Sequence, residues 1–226
     1  MDPRPAATVV VARPAQGPAA DPPREPAELA GVEVLLLRRS AVSRFAPGYV
    51  VFPGGVVDPS DDHLAAEWFG DPSEAVRACA VRELAEEAGL VLTAEGLRPL
   101  APGESIARAV GQAPPTPGAL PEVARWRAPE VLAVRFDACF YAIAASAGTE
   151  AIPDMVEVDL AWWERPGDAL ARHPLWTALL WPTYRTLEAL AECATVDDVL
   201  RLRVPQEPPP ESLLAGYTPP AYRSSS

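Results

Sequence analysis

The sequence predicts an α/β fold, an α/β/α sandwich with a mixed central sheet. Three observations point there. Short apolar or β-branched runs of strand length recur along the chain, one long helical stretch over residues 74 to 88 falls among them, and several helical segments close the chain. Strands interleaved with helices bury both faces of a sheet, which is the layered α/β solution.

The elements follow in order. Residues 6 to 13, AATVVVAR, read as a β-branched strand. A proline- and alanine-rich insertion covers about 14 to 27 and reads as a surface loop. Residues 32 to 39, VEVLLLRR, are a near-continuous apolar run that suits a buried strand. A third short strand, 48 to 52, leads into Pro53-Gly54-Gly55, and a looped stretch of about 56 to 73 holds a short helix near His63 to Phe69. The long helix follows, then a strand from Leu90 to Leu92. Residues 98 to 130 read as irregular with one or two short helices. Strands are expected over 131 to 145 and 155 to 164, and helices over 166 to 172, 176 to 193 and 196 to 203. Residues 1 to 204 thus form one domain, and 205 to 226 a proline-rich tail, extended over the surface or disordered.

The long helix carries the chemistry. Asp71 suits the N-cap, Pro72 the first helical position, and Glu74 stands at capping-box spacing from Asp71. Gly89 follows the last turn, where a left-handed cap favours glycine. Val76, Ala80, Val81 and Leu84 make an apolar stripe. Glu83, Glu86 and Glu87 are neighbours on one face, where like charges cost stability. Such a cluster reads either as a solvated acidic face or as oxygen ligands for a hard divalent cation. Arg82, four residues before Glu86, can hold a carboxylate in place.

The run RELAEEAGL over residues 82 to 90 resembles the core of the Nudix box, G-x5-E-x7-R-E-U-x-E-E-x-G-U, in which U is a bulky aliphatic residue. Every specified position from Glu74 to Leu90 matches, and FPGG at 52 to 55 resembles the opening glycine turn. One departure stands out: 18 residues separate Gly55 from Glu74 where the box has five. The resemblance implies the Nudix fold and Mg²⁺ or Mn²⁺ held by Glu83, Glu86 and Glu87, with the Gly54 carbonyl as a further ligand and Arg82 positioning a glutamate. It also implies an acid from a later loop, acting as general base. Glu157 fills that place or is a surface glutamate on a strand, with Asp154 and Glu150 as reserves.

Upstream, LLLRRSAVSRFAPGYVVFPGG is similar to a signature of coenzyme A-cleaving Nudix enzymes, departing from it only at Leu37. This implies Arg39, Ser40, Arg44 and Gly48 as substrate-binding residues. Arginine forks suit phosphate groups and glycine lets the backbone turn closely. Alternatively, Arg39 and Arg44 are ordinary arginines paired with acids. The blocks FPGGVVDPSD, RFDACFYA, PDMVEVDLAWW and PTYRTLEAL, with the enlarged loop inside the box, resemble the peroxisomal coenzyme A diphosphatase branch. The chain ends Ser-Ser-Ser rather than in a Ser-Lys-Leu address.

Composition limits the partners. A formal charge of −12 disfavours general nucleic-acid or anionic-membrane binding but not a phosphorylated small molecule. No run of about 18 apolar residues and no signal-peptide pattern is visible, so a cytoplasmic location is expected. Cys79, Cys139 and Cys193 lack metal or redox spacing, and no role falls to His63 or His173.

The expectation is a metal-dependent pyrophosphohydrolase of coenzyme A or acyl-coenzyme A, releasing 3′,5′-ADP and 4′-phosphopantetheine or its acyl form. The alternatives are hydrolysis of ADP-ribose, NADH or capped RNA, and a non-catalytic nucleotide sensor.

Overall fold

The computed structural model describes residues 2–16, 31–43, 45–128, 130 and 135–214. Arg44 and most of the 14–27 insertion lie outside the described residues. The strands are β1 Arg4–Pro14, β2 Val32–Arg39, β3 Val50–Val51, β4 Gly54–Val56, β5 Leu90–Thr93, β6 Gly96–Pro99, β7 Glu122–Arg127, β8 Phe136–Ala144 and β9 Val158–Glu164. The helices are α1 Ser60–Phe69, α2 Ala75–Ala88, α3 Ile106–Gly111, α4 Pro166–Arg172, α5 Trp181–Ala191, α6 Val196–Arg201 and α7 Glu211–Leu214.

The main sheet runs β3–β2–β1–β8–β7, with β4 also on β1 and β9 also on β2. It is mixed: β1 and β8 run parallel from Arg4↔Phe136 to Ala12↔Ala144, and the other strand pairs are antiparallel. β5 and β6 form a separate hairpin.

The period-2 alternation of strand side chains builds the two sides of the sandwich. Ala7, Val9 and Val11 of β1 and Leu35 and Leu37 of β2 pack with Ala78, Val81 and Leu84 of α2 and Trp68 of α1. Val10 and Ala12 with Val34 and Leu36 face the other way, against Leu187 and Leu190 of α5, Ala169 of α4 and Val199 of α6.

Several boundaries differ from the sequence reading, each for a local reason. EVARWR is β7, within a stretch expected to be irregular; its outward charges blur the alternation, and it lies at the sheet border, where charged side chains are the rule. β9 starts at Val158 rather than 155, because the Asp154 carboxylate accepts the N–H groups of Val156, Glu157 and Val158 and holds a bend. α5 starts at Trp181 rather than 176, with Pro182 in its first turn and Trp176 at φ 70° before it. Glu74 lies in a 3-10 turn, Pro72–Glu74, capped by Asp71 through Ser73 N–H, and its carboxylate pairs with Arg77 rather than closing a capping box. The α2 end is as expected, with Gly89 left-handed at φ 63°.

Val204 is buried and pairs with Ala124 of β7, and Gln206 bonds both the N–H and the carbonyl of Arg127. Further on, Trp181 donates to the Glu207 carbonyl at 2.6 Å. Among the described residues no helix is long and apolar enough to cross a membrane.

Candidate active site

α2 lies across β1 and β4 because nine of its residues are buried, Glu87 among them. This presents the Glu83–Glu87 face to the FPGG turn. The turn must be bare there. A Cβ on Gly55 would stand 2.3 Å from Glu83 Oε1, and one on Gly54 would stand 2.3 Å from the Ala7 carbonyl oxygen. Glycine at both positions is therefore what lets the carboxylates, the turn and β1 share the space.

Two arginines organise the acids. Arg82 donates through Nη1 to Glu83 Oε1 at 2.7 Å and to Glu86 Oε2 at 2.8 Å. Its Nε and Nη2 grip Asp61 Oδ1 and Oδ2 at 2.8 and 2.9 Å. Arg39, at the end of β2, reaches Glu87 Oε1 at 3.3 Å and Glu157 Oε2 at 3.5 Å, while its Nε is held by the Phe45 carbonyl. Glu87 Oε2 accepts the Gly54 N–H at 2.9 Å.

Burial sets the electrostatics. It pushes the Glu87 carboxyl up to about 8, against the pull of the Gly54 N–H and Arg39. Burial raises Glu83 as well, partly offset by Arg82. Burial opposes the Arg82 charge, yet the Asp61 bond and the Glu83 charge hold its pKa above the ordinary value. The Cys79 thiol donates weakly to the Gly55 carbonyl at 3.7 Å and is raised by burial, as suits a packing residue.

The sequence-expected residues sort clearly. Glu83, Glu86, Glu87, Arg82, Gly54, Arg39 and Glu157 come together. Ser40 is beside them, but its hydroxyl is bonded to the Val156 carbonyl at 2.6 Å and its N–H to the Glu157 carbonyl, so it pins the loop bearing Glu157. Gly48 supports Arg39 from a turn at φ 80°, donating its N–H to the Arg39 carbonyl. Asp154 is committed to its bend. Arg44 lies outside the described residues. Sequence reasoning missed Asp61, fully buried on α1 within the 56–73 stretch. A signal was present: counting forward from Gly55, the acid after five residues is Asp61, whereas counting back from Arg82 selects Glu74.

Five carboxylates, Asp61, Glu83, Glu86, Glu87 and Glu157, thus share two guanidiniums. If all five are ionised, three negative charges remain, and every donor is a hard oxygen, so the residues fit a divalent cation. Among the described residues no three such side chains already converge as a cage. Here the carboxylates lean on the arginines and the Gly54 N–H, so ligation requires rotamer changes at Glu83, Glu86 or Glu87.

The frame is a mixed sheet between helices, with a glycine turn that donates an N–H to an acidic helix face. The NUDIX domain family matches residues 27–178, and the chain belongs to the Nudix hydrolase family, whose members generally use divalent metal ions. It is similar in structure to a NUDIX hydrolase from Alicyclobacillus acidocaldarius, with TM-score 0.73 and 31% identity over 90% of this chain and 98% of that one. It is 33% identical to the acyl-coenzyme A diphosphatase NUDT19 of Gallus gallus over 42% of this chain, a match spanning only 34% of that protein's length. The Homo sapiens protein of the same name is 26% identical over 87% of this chain and 70% of its own length.

Proposed function

We propose that the protein is a Mg²⁺- or Mn²⁺-dependent pyrophosphohydrolase that cleaves coenzyme A or its acyl thioesters to 3′,5′-ADP and 4′-phosphopantetheine or its acyl form. The observation that carries this is the gathering of Glu83, Glu86 and Glu87 around Arg82, Arg39 and the glycine turn. The coenzyme A choice is supported by the arginine-bearing signature over residues 35 to 55 and by the two acyl-coenzyme A diphosphatase relatives.

Glu83, Glu86 and Glu87 would hold the metal, with the Gly54 carbonyl beside them. Bound there, a divalent cation neutralises phosphate oxygens and lowers the pKa of an attacking water. Glu87 is kept in place by the Gly54 N–H and Arg39, and Glu83 and Glu86 by Arg82. Arg39 is mostly buried but faces the same space as Glu157, where its guanidinium can bind a phosphate oxygen. The Glu157 side chain is 63% exposed beside Arg39, which supports assigning it as the group that accepts a proton from water. Ser40 fixes the loop that carries Glu157 and Gly48 the end of β2 that carries Arg39, and the sequence signature alone assigns Arg44 to phosphate binding. We place the protein in the cytoplasm, a compartment that suits its three buried free cysteines.

The test is the product spectrum from coenzyme A with Mn²⁺, read by mass. 3′,5′-ADP with phosphopantetheine supports the reading. Turnover of ADP-ribose, NADH or capped RNA instead moves the substrate assignment, and nucleotide binding without any metal-dependent product supports a sensor.

A further inference from the structure

Among the described residues five large apolar side chains are exposed, and four of them belong to two loops that border Arg39 and Glu157. Val42, Ile152, Met155 and Val156 are between 65% and 72% exposed; the fifth, Leu160, follows on β9. Single apolar side chains on a surface are ordinary, whereas a contiguous group marks a contact. The two loops are stitched together. Ser40 Oγ donates to the Val156 carbonyl at 2.6 Å and Ser43 Oγ to the Glu157 carbonyl at 2.7 Å, which brings the turn carrying Val42 against Val156. At the other end, the Ile152 N–H bonds the Ala88 carbonyl at 2.9 Å, one residue past Glu87. The segment 152–157 therefore runs from the end of the acidic helix to Arg39, whose Nη2 lies 3.5 Å from Glu157 Oε2.

The segment is held in a costly shape. Met155 has φ 61°, a left-handed conformation unfavourable for any residue but glycine. The Asp154 carboxylate fixes the bend by accepting the N–H groups of Val156, Glu157 and Val158. The result is a tied loop that leaves Met155 and Val156 in solvent while Glu157 meets Arg39. Strain kept at such a place, with apolar side chains facing water, points to a ligand on the outer side of the loop.

Substrate chemistry says what an apolar rim beside a phosphate-binding arginine would meet. In coenzyme A the phosphate on the pantetheine side carries a methylene and then a dimethyl carbon. In ADP-ribose, NADH and capped RNA a hydroxylated ribose takes that place. We infer that Val42, Met155 and Val156 are specificity-determining residues, which pack on the dimethyl carbon and the start of the pantetheine arm and so favour coenzyme A over substrates with a second ribose. The inference rests on the coenzyme A reading above and names the residues that enforce it.

The experiment combines Val42→Thr, Met155→Gln and Val156→Thr in the full chain, near-isosteric changes at exposed positions where stability is little affected. With Mn²⁺ present, calorimetry measures the affinity for 4′-phosphopantetheine and for 3′,5′-ADP, and product mass gives KM and kcat for coenzyme A. Phosphopantetheine affinity is expected to fall about 10-fold and KM for coenzyme A to rise as much, the low end of what a methyl-sized contact supplies. The affinity for 3′,5′-ADP is expected to stay as in the parent. Unchanged phosphopantetheine affinity would overturn the inference. So would equal losses for both products, which mark a general disturbance, and a loss confined to kcat, which marks a displaced Glu157. A parent dimer that dissociates in the variant by light scattering, with phosphopantetheine affinity kept, gives the patch to a second copy of the chain instead. A parent that hydrolyses coenzyme A while the variant keeps that affinity removes this inference alone; a parent that leaves coenzyme A intact removes the substrate reading and the inference with it.

Discussion

Two charged clusters in this molecule are built to opposite ratios. Around Arg82, three carboxylates share one guanidinium, and most of the group is buried. At the β7–β8 border, one carboxylate, Asp137, is shared by Arg125 and Arg127, whose side chains are more than half exposed. In the second cluster the arginine bonds hold the Asp137 carboxyl below its usual range. In the first, burial outweighs Arg82 and lifts Glu83, as it lifts the neighbouring Glu87 beside Arg39. Cations in excess settle an acid. Acids in excess, out of water, leave a charge that only a further cation settles, and that asymmetry separates a binding site from a surface ion pair.

The difference can be tested by breaking each side. The largest effect is expected from Arg82→Gln. It strands the buried Asp61 without its partner, which costs about 3–5 kcal/mol by thermal or urea unfolding. Glu86→Gln and Glu87→Gln come next: each is expected to lower metal-dependent turnover about 10²- to 10³-fold with the circular dichroism spectrum intact. Unchanged turnover in either variant would defeat the metal assignment.

The third test concerns pH. The Glu87 carboxyl titrates near 8 in the folded chain, above its unfolded value, so the folded state binds the extra proton between the two. In EDTA, the Glu87 contribution, read as the difference between the parent and Glu87→Gln, is expected to be fully present below about pH 4.5 and lost as pH rises through 8, by a few kcal/mol in all. Glu87→Gln removes that slope and melts later than the parent at pH 8. A stability difference between the parent and Glu87→Gln that is the same in EDTA at pH 5 and pH 8 would mean Glu87 stores no such penalty. The smallest effect belongs to the exposed cluster. Asp137→Asn is expected to cost no more than about 1 kcal/mol, because its arginines remain hydrated, and to leave Mn²⁺ affinity unchanged.

How much of this was legible in the sequence follows the same division. The α2 face could be read because its acids are contiguous, and helical spacing alone puts Glu83, Glu86 and Glu87 together. The β-branched runs of β1 and β2 were equally open, since burial on both faces demands apolar side chains throughout. What could not be read was contact at a distance. Arg39 meets Glu87 across 48 residues, and no local pattern pairs them. Asp61 was hidden by the insertion, which moved the acid away from the helix along the chain while the fold kept it beside Arg82. β7 was hidden because border strands trade alternation for charge.

The parallel pairing of β1 with β8 has a consequence for how the chain is made. Arg4 and Phe136 are 132 positions apart, and nine successive residues of the first strand wait for that partner. Closing so long a loop is slow. During synthesis the largely buried β1 therefore stands with an open side until β8, beginning at Phe136, has left the ribosome. Chaperone demand and inclusion-body formation should respond first to changes in β8, far from any residue that touches phosphate.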